Sequence, residues 1–154
     1  MTVTDVRKVK AGMLVRRPQS EVFQAFADPA ITTKFWYTKS SGKMVAGADL
    51  TWEWEMYGAS ARIAVKEVEP DSRIVFEWND GMTVELRFEA LPDGTYVDVT
   101  ETGFGGTEDE VARHVGDSTG GFTIALCALK ALLEHGVELG AVGDRFPKGL
   151  AGGH

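Results

Sequence analysis

Turn signals punctuate the middle of this sequence at intervals of roughly ten residues, and that rhythm restricts the possible folds more than any other feature. The signals are Ala46-Gly47-Ala48, Tyr57-Gly58, Pro70-Asp71-Ser72, Asn79-Asp80-Gly81 and Pro92-Asp93-Gly94, each between strand-like segments. A parallel strand needs a crossover of a dozen or more residues, and these connections are far too short for one. The segments must therefore pair as consecutive antiparallel neighbours, a meander.

Within the segments, apolar and polar residues alternate. Leu50, Trp52, Trp54 and Met56 share one face, with Thr51, Glu53 and Glu55 on the other. The same holds for Ile74, Phe76 and Trp78 against Arg73, Val75 and Glu77, and for Met82, Val84, Leu86 and Phe88 against Thr83, Glu85, Arg87 and Glu89. A sheet with one charged face and one dry face needs a cover over the dry one.

The cover is expected from Asp117 to His135, where Phe122, Ala125, Leu126, Leu129, Leu132 and Leu133 recur at helical spacing and Gly136 supplies a stop. Such a helix is about 28 Å long, enough to cross six or seven strands. Val3 to Arg16 reads as a further strand. Between it and the meander lie two short helices, with Pro18 and Pro29 at tolerated first-turn positions and Asp28 placed to cap the second. The expected fold class is α+β: a curved antiparallel sheet of six to seven strands, two short helices and one long C-terminal helix. Residues 1–136 form the domain, and the glycine-rich tail 137–154 is expected to be loosely attached.

Composition narrows the partners. A chain of 154 residues suits one domain, and 44% apolar with 25% charged residues suits a globular one. A net charge of −7 opposes a nucleic-acid partner. No apolar run approaches the roughly 20 residues needed to span a bilayer. Met1 to Lys10 lacks the apolar core of a signal peptide, and the single Cys127 permits no intramolecular disulfide, so a cytoplasmic location is expected.

Several local stretches carry a resemblance. Arg17-Pro18-Gln19-Ser20-Glu21-Val22-Phe23-Gln24-Ala25-Phe26, then Asp28-Pro29 and Phe35-Trp36-Tyr37, look like the opening of one branch of the START-related SRPBCC superfamily. That is the branch named after activators of the heat-shock-protein-90 ATPase. Val68-Glu69-Pro70-Asp71-Ser72-Arg73-Ile74-Val75-Phe76-Glu77-Trp78, Thr100-Glu101-Thr102-Gly103-Phe104 and Gly120-Gly121-Phe122 also match it. The resemblance covers nearly the whole chain and implies the helix-grip fold of the birch pollen allergen, a scaffold for hydrophobic ligands. Eukaryotic co-chaperones of the branch carry a separate N-terminal chaperone-binding domain that does not occur in this sequence. Chaperone activation is therefore not among the implied properties.

The candidate ligand-binding residues are Trp36, Tyr37, Trp52, Trp54, Phe76, Trp78, Phe88, Glu101, Phe122 and Leu126. Aromatic side chains usually pack cores. A concave sheet and a straight helix, however, diverge away from their contact line, and rings along the gap can line it without filling it. Trp36 and Tyr37 are placed for its mouth. Glu101 shares the inward face with Val97 and Val99 by strand parity, although parity can break near a strand end. It is either a solvated or loop-capping carboxylate or a polar anchor in the cavity, where it would suit a general acid or base.

The three histidines, His114, His135 and His154, have no metal-ligand spacing and are not expected to form a site, so no metal or cofactor is assigned. His135 suits the C-terminus of the helix dipole. Cys127 reads as a small buried hydrophobe, and Gly103 to Gly106 as a flexible connection able to gate the cavity.

The leading functional expectation is binding of a small hydrophobic or aromatic molecule between sheet and helix. The alternatives are an enzyme of cyclase, dehydratase or hydrolase type using the cavity carboxylate, and a chaperone-associated or regulatory interaction module. Exposed sheet edges and the apolar residues of the tail offer surfaces for a homodimer.

Overall fold

The computed structural model of the chain describes residues 8–79 and 81–147. The strand start read at Val3, the turn residue Asp80, His154 and the tail beyond 147 lie outside the described residues.

The meander takes the form that its turns dictate. One sheet of seven strands runs β1 (Val9–Val15), β2 (Lys39–Ser40), β3 (Asp49–Trp54), β4 (Ala59–Glu69), β5 (Arg73–Trp78), β6 (Met82–Leu91) and β7 (Gly94–Thr102). The spatial order is β1-β7-β6-β5-β4-β3-β2, every pair antiparallel. Left-handed backbone sits where the turns demand it, at Gly47, Gly58 and Gly81 and at the non-glycine residues Asp71 and Asn79. At Gly94, which opens β7, a Cβ would stand 2.3 Å from the Val15 carbonyl oxygen of β1, so only glycine lets these two backbones meet.

Alternation decides the faces as expected. Trp52, Ile63, Val65, Ile74, Phe76, Val84, Leu86, Phe88, Val97 and Val99 are buried. Arg62, Lys66, Arg87 and Glu89 are exposed on the other face. Met56 departs from the pattern. The strand ends at Trp54, Glu55–Tyr57 forms a 3-10 turn closed by left-handed Gly58, and Met56 is exposed.

The two short helices are α1 (Gln19–Ala27) and α2 (Pro29–Thr32). Pro29 occupies the first helical position of α2, and the Asp28 carboxylate accepts from the Ala30 N–H at 3.0 Å. Phe23 and Phe26 of α1 pack on Phe88 with centroids 5.8 and 5.6 Å away.

The covering helix, α3 (Glu108–His135), starts nine residues before the apolar stripe suggested and is 28 residues long. That is about 42 Å, longer than the sheet is wide. The Thr107 hydroxyl accepts from the Glu110 N–H, and the Glu110 carboxylate accepts from the Thr107 N–H, a reciprocal cap that fixes this start. The C-terminal half is pinned to β1. Lys130 donates to the Leu14 carbonyl at 2.7 Å and Glu134 accepts from the Arg16 N–H at 2.8 Å. Cys127 is exposed, because it falls beside the stripe and on the solvent side, which corrects its reading as a buried hydrophobe.

The described part of the tail carries α4 (Ala141–Asp144), which has no buried residue but is tethered, since the Tyr57 hydroxyl donates to the carbonyls of Val142 and Gly143. No helix among the described residues is long and apolar enough to cross a membrane.

Candidate functional site

The N-terminal half of α3 and the far ends of β3, β5 and β7 do not close on each other completely. Between them is a cavity of about 300 Å³, walled by Trp36, Trp54, Trp78 and Phe122, with Tyr57, Val142, Arg145 and Phe146 along the tail side. At its polar end are Glu101, His114 and Ser118.

Glu101 is on the dry face, as parity indicates, and only 1% exposed. A carboxylate so buried needs partners, and each oxygen has one. Trp78 Nε1 donates to Oε2 at 2.8 Å, and His114 Nε2 lies 2.7 Å from Oε1. The first contact spans two strand spacings, about 10 Å. It is feasible because the residue between them on β6 is the small Val84, paired with both Phe76 and Glu101. The second follows from helix geometry: His114, Ser118 and Phe122 stand one turn apart on one face of α3. Ser118 Oγ is 3.3 Å from His114 Nε2, and the imidazole lies against Phe104 with centroids 4.3 Å apart.

One expectation is overturned here: one histidine, His114, does line the candidate site, since it lies inside α3 and reaches Glu101 through space. In the connection after β7, Phe104 is buried against His114 while Gly103, Gly105 and Gly106 are exposed.

The aromatic set divides. Trp36, Trp54, Trp78, Glu101 and Phe122 line the cavity, whereas Tyr37, Trp52, Phe76, Phe88 and Leu126 form solid core behind it. Mutual packing puts them there. Tyr37 stacks on Trp52 at 4.4 Å and 20°, and Phe76 meets Trp52 edge-on at 5.2 Å. Phe88 is taken by α1, and Leu126 is one turn further along α3 than Phe122, on the side that packs down on the sheet. Trp36 joins core and cavity, 5.1 Å from Trp52 and 6.0 Å from both Trp78 and Phe122. Burial pushes the Tyr37 phenol pKa up. Its hydroxyl and Trp52 Nε1 find no hydrogen-bond partner among the described residues.

Arg145 follows α4 on the tail-side wall. Its Cζ sits 4.9 Å from the Phe146 ring centroid, and Nη1 donates to the Asp117 carbonyl at 3.3 Å. Sequence reasoning missed it because the tail has no periodicity that would tie it to the sheet. Among the described residues no cluster of three or more His, Cys, Asp or Glu side chains is placed to hold a metal ion.

Chemically, the site is a small aromatic box with a buried carboxylate–imidazole pair at one end and a guanidinium on another wall. A family model described as Activator of Hsp90 ATPase homolog 1-like protein matches residues 16–134. The crystal structure of SSP2350 from Staphylococcus saprophyticus is 32% identical, covering 86% of this chain and 95% of that one, with a TM-score of 0.78. DynU16, a protein of the dynemicin biosynthetic locus, is 25% identical over 86% of this chain, with a TM-score of 0.76. The match covers 49% of DynU16, so this chain spans about half its length. The solution structure of the Aha1 dimer from Colwellia psychrerythraea shares the fold at 18% identity and a TM-score of 0.72, over 84% of this chain and 97% of that one. No curated protein matches the chain.

Proposed function

The chain belongs to the Activator of Hsp90 ATPase homolog 1-like family, and from that premise we propose that it binds a small planar apolar molecule in the cavity between its sheet and α3. The observation that carries this reading is the ring of Trp36, Trp54, Trp78 and Phe122 around a space of about 300 Å³. That volume is at the lower end of ligand pockets, which run from roughly 300 to 1,000 Å³, and suits one or two fused rings. Indole and phenyl faces offer such a molecule stacking and edge contacts on several sides. The place of DynU16 in a biosynthetic locus is in keeping with a small-molecule occupant.

The test uses the four tryptophans as reporters. Titration of the full chain with naphthalenemethanol, followed through assigned indole N–H resonances, should shift Trp36, Trp54 and Trp78 saturably while Trp52, in the core behind, responds least. Absence of any saturable shift would refute the reading.

A second reading rests on the Glu101–His114 contact inside the cavity. A carboxylate that orients an imidazole beside a bound molecule can move a proton to or from it, as a cyclase, dehydratase or hydrolase requires. If the protein turns over its ligand, Glu101→Gln should retain affinity and lose turnover; a fully active variant would exclude that role.

A further inference from the structure

Helix α3 carries a notch with no purpose in the helix itself. Gly120 and Gly121 sit in its interior, where each glycine weakens a helix by about 1 kcal/mol relative to alanine. Their value is spatial. A Cβ on Gly120 would stand 2.8 Å from Arg145 Nη2, and one on Gly121 would stand 3.2 Å from Nη1. The bare backbone thus makes a seat for the Arg145 guanidinium on the wall of the aromatic cavity.

The seated cation has little to neutralise it. Among the described residues it makes one hydrogen bond, to the Asp117 carbonyl, and one face lies near the Phe146 ring. Its acidic neighbours Asp117 and Asp144 are exposed, and neither carboxylate pairs with it. The acid within the cavity, Glu101, already receives Trp78 and His114 on its two oxygens. A half-buried guanidinium keeps donors in a rigid fork that matches a carboxylate or similar oxyanion.

We propose that the ligand of this cavity is an aromatic anion, a planar ring system bearing one carboxylate-like group, with the rings against the wall formed by Trp78 and Phe122 and the anion on Arg145. The proposal rests on the cavity being the ligand site and adds the charge of the occupant. The chain carries a net charge of −7, so its overall field opposes such a ligand and the preference must come from this local cation.

The experiment is calorimetric titration of the full chain with naphthoate and with naphthalenemethanol, which share the ring system and differ in charge. Naphthoate should bind about tenfold or more tightly, and its affinity should fall as salt is raised. Arg145→Gln should bring naphthoate affinity down to that of naphthalenemethanol, and unshifted indole N–H resonances of Trp36, Trp54 and Trp78 in the free variant would show that the cavity is intact. Arg145→Lys should keep part of it, and Gly120→Ala, which crowds the guanidinium, should reduce it without lowering the melting temperature. Equal affinities for the two probes, or a preference that survives Arg145→Gln, would overturn the charge assignment and leave the cavity reading standing. Failure of both probes to bind would overturn both.

Discussion

Glu101 joins two elements through one buried carboxylate. Its two oxygens accept from an indole on β5 and face an imidazole on α3, so it ties the sheet to the helix at the end where they diverge. Glu101→Leu would strand both partners, and each buried polar group left unpaired costs about 1–3 kcal/mol. Glu101→Gln keeps an acceptor for Trp78 and a donor for His114. The leucine variant should therefore unfold at lower urea, losing about 1–3 kcal/mol more than the glutamine variant; equal losses would mean that the contacts carry no net stability. Strand parity alone placed Glu101 inward beside Val97 and Val99. Its histidine partner was not readable, since it lies 13 positions further along the chain, beyond a loop whose path no local rule describes. The aromatic residues were readable as a set but not individually. Whether Trp52 or Trp54 meets a void depends on which rings reach it first from other elements.

At the scale of elements, local chemistry and periodicity disagreed once, and local chemistry prevailed. The apolar stripe begins in earnest at Phe122, and Gly116, Gly120 and Gly121 dilute what precedes it, so spacing alone starts α3 near Asp117. The cap at Thr107 and Glu110 lies further upstream and sets the true start. That first stretch carries His114 and Ser118, so the cap also positions the polar end of the cavity. Thr107→Ala should cost about 1 kcal/mol in denaturant unfolding. It should also perturb His114 resonances more than those of residues near Lys130, where α3 is pinned to β1. A uniform response along the helix would argue against separate anchoring of its two halves. The longer strands of the meander, by contrast, were announced by turn residues and alternation, whereas β2 (Lys39–Ser40), two residues long, is too short to alternate. Met56 alone continues the alternation past the strand end, because Gly58 permits a 3-10 turn that alternation does not encode.

For the molecule as a whole, acid should be the vulnerable side. Arg17 holds Glu21 below the ordinary carboxylate value of 4.5, and Lys130 with the Arg16 N–H does the same for Glu134. Glu110 is lowered by the Thr107 N–H and hydroxyl. Partial burial pushes Glu85 up, but Arg73 and Arg87 together bring it net down. A carboxylate with a depressed folded pKa adds stability above its unfolded value and loses it as pH falls through the folded one. Melting temperature should therefore decline progressively below about pH 4.5 in scanning calorimetry. A flat profile down to about pH 3 would show that these ion pairs, mostly exposed, contribute nothing.

The phenol of Tyr57 has a consequence for access. It donates to the Val142 and Gly143 carbonyls of α4 and meets the Phe146 ring edge-on, and so fastens a short segment along one side of the cavity. Because α4 adds no strand to the sheet, displacing this segment would leave all seven strands paired, and on the proposed reading a guest would enter by local opening at a small fraction of the cost of global unfolding. On that reading, how long a guest stays and how firmly the protein is folded would be separately adjustable, with Tyr57 among the residues that set the first.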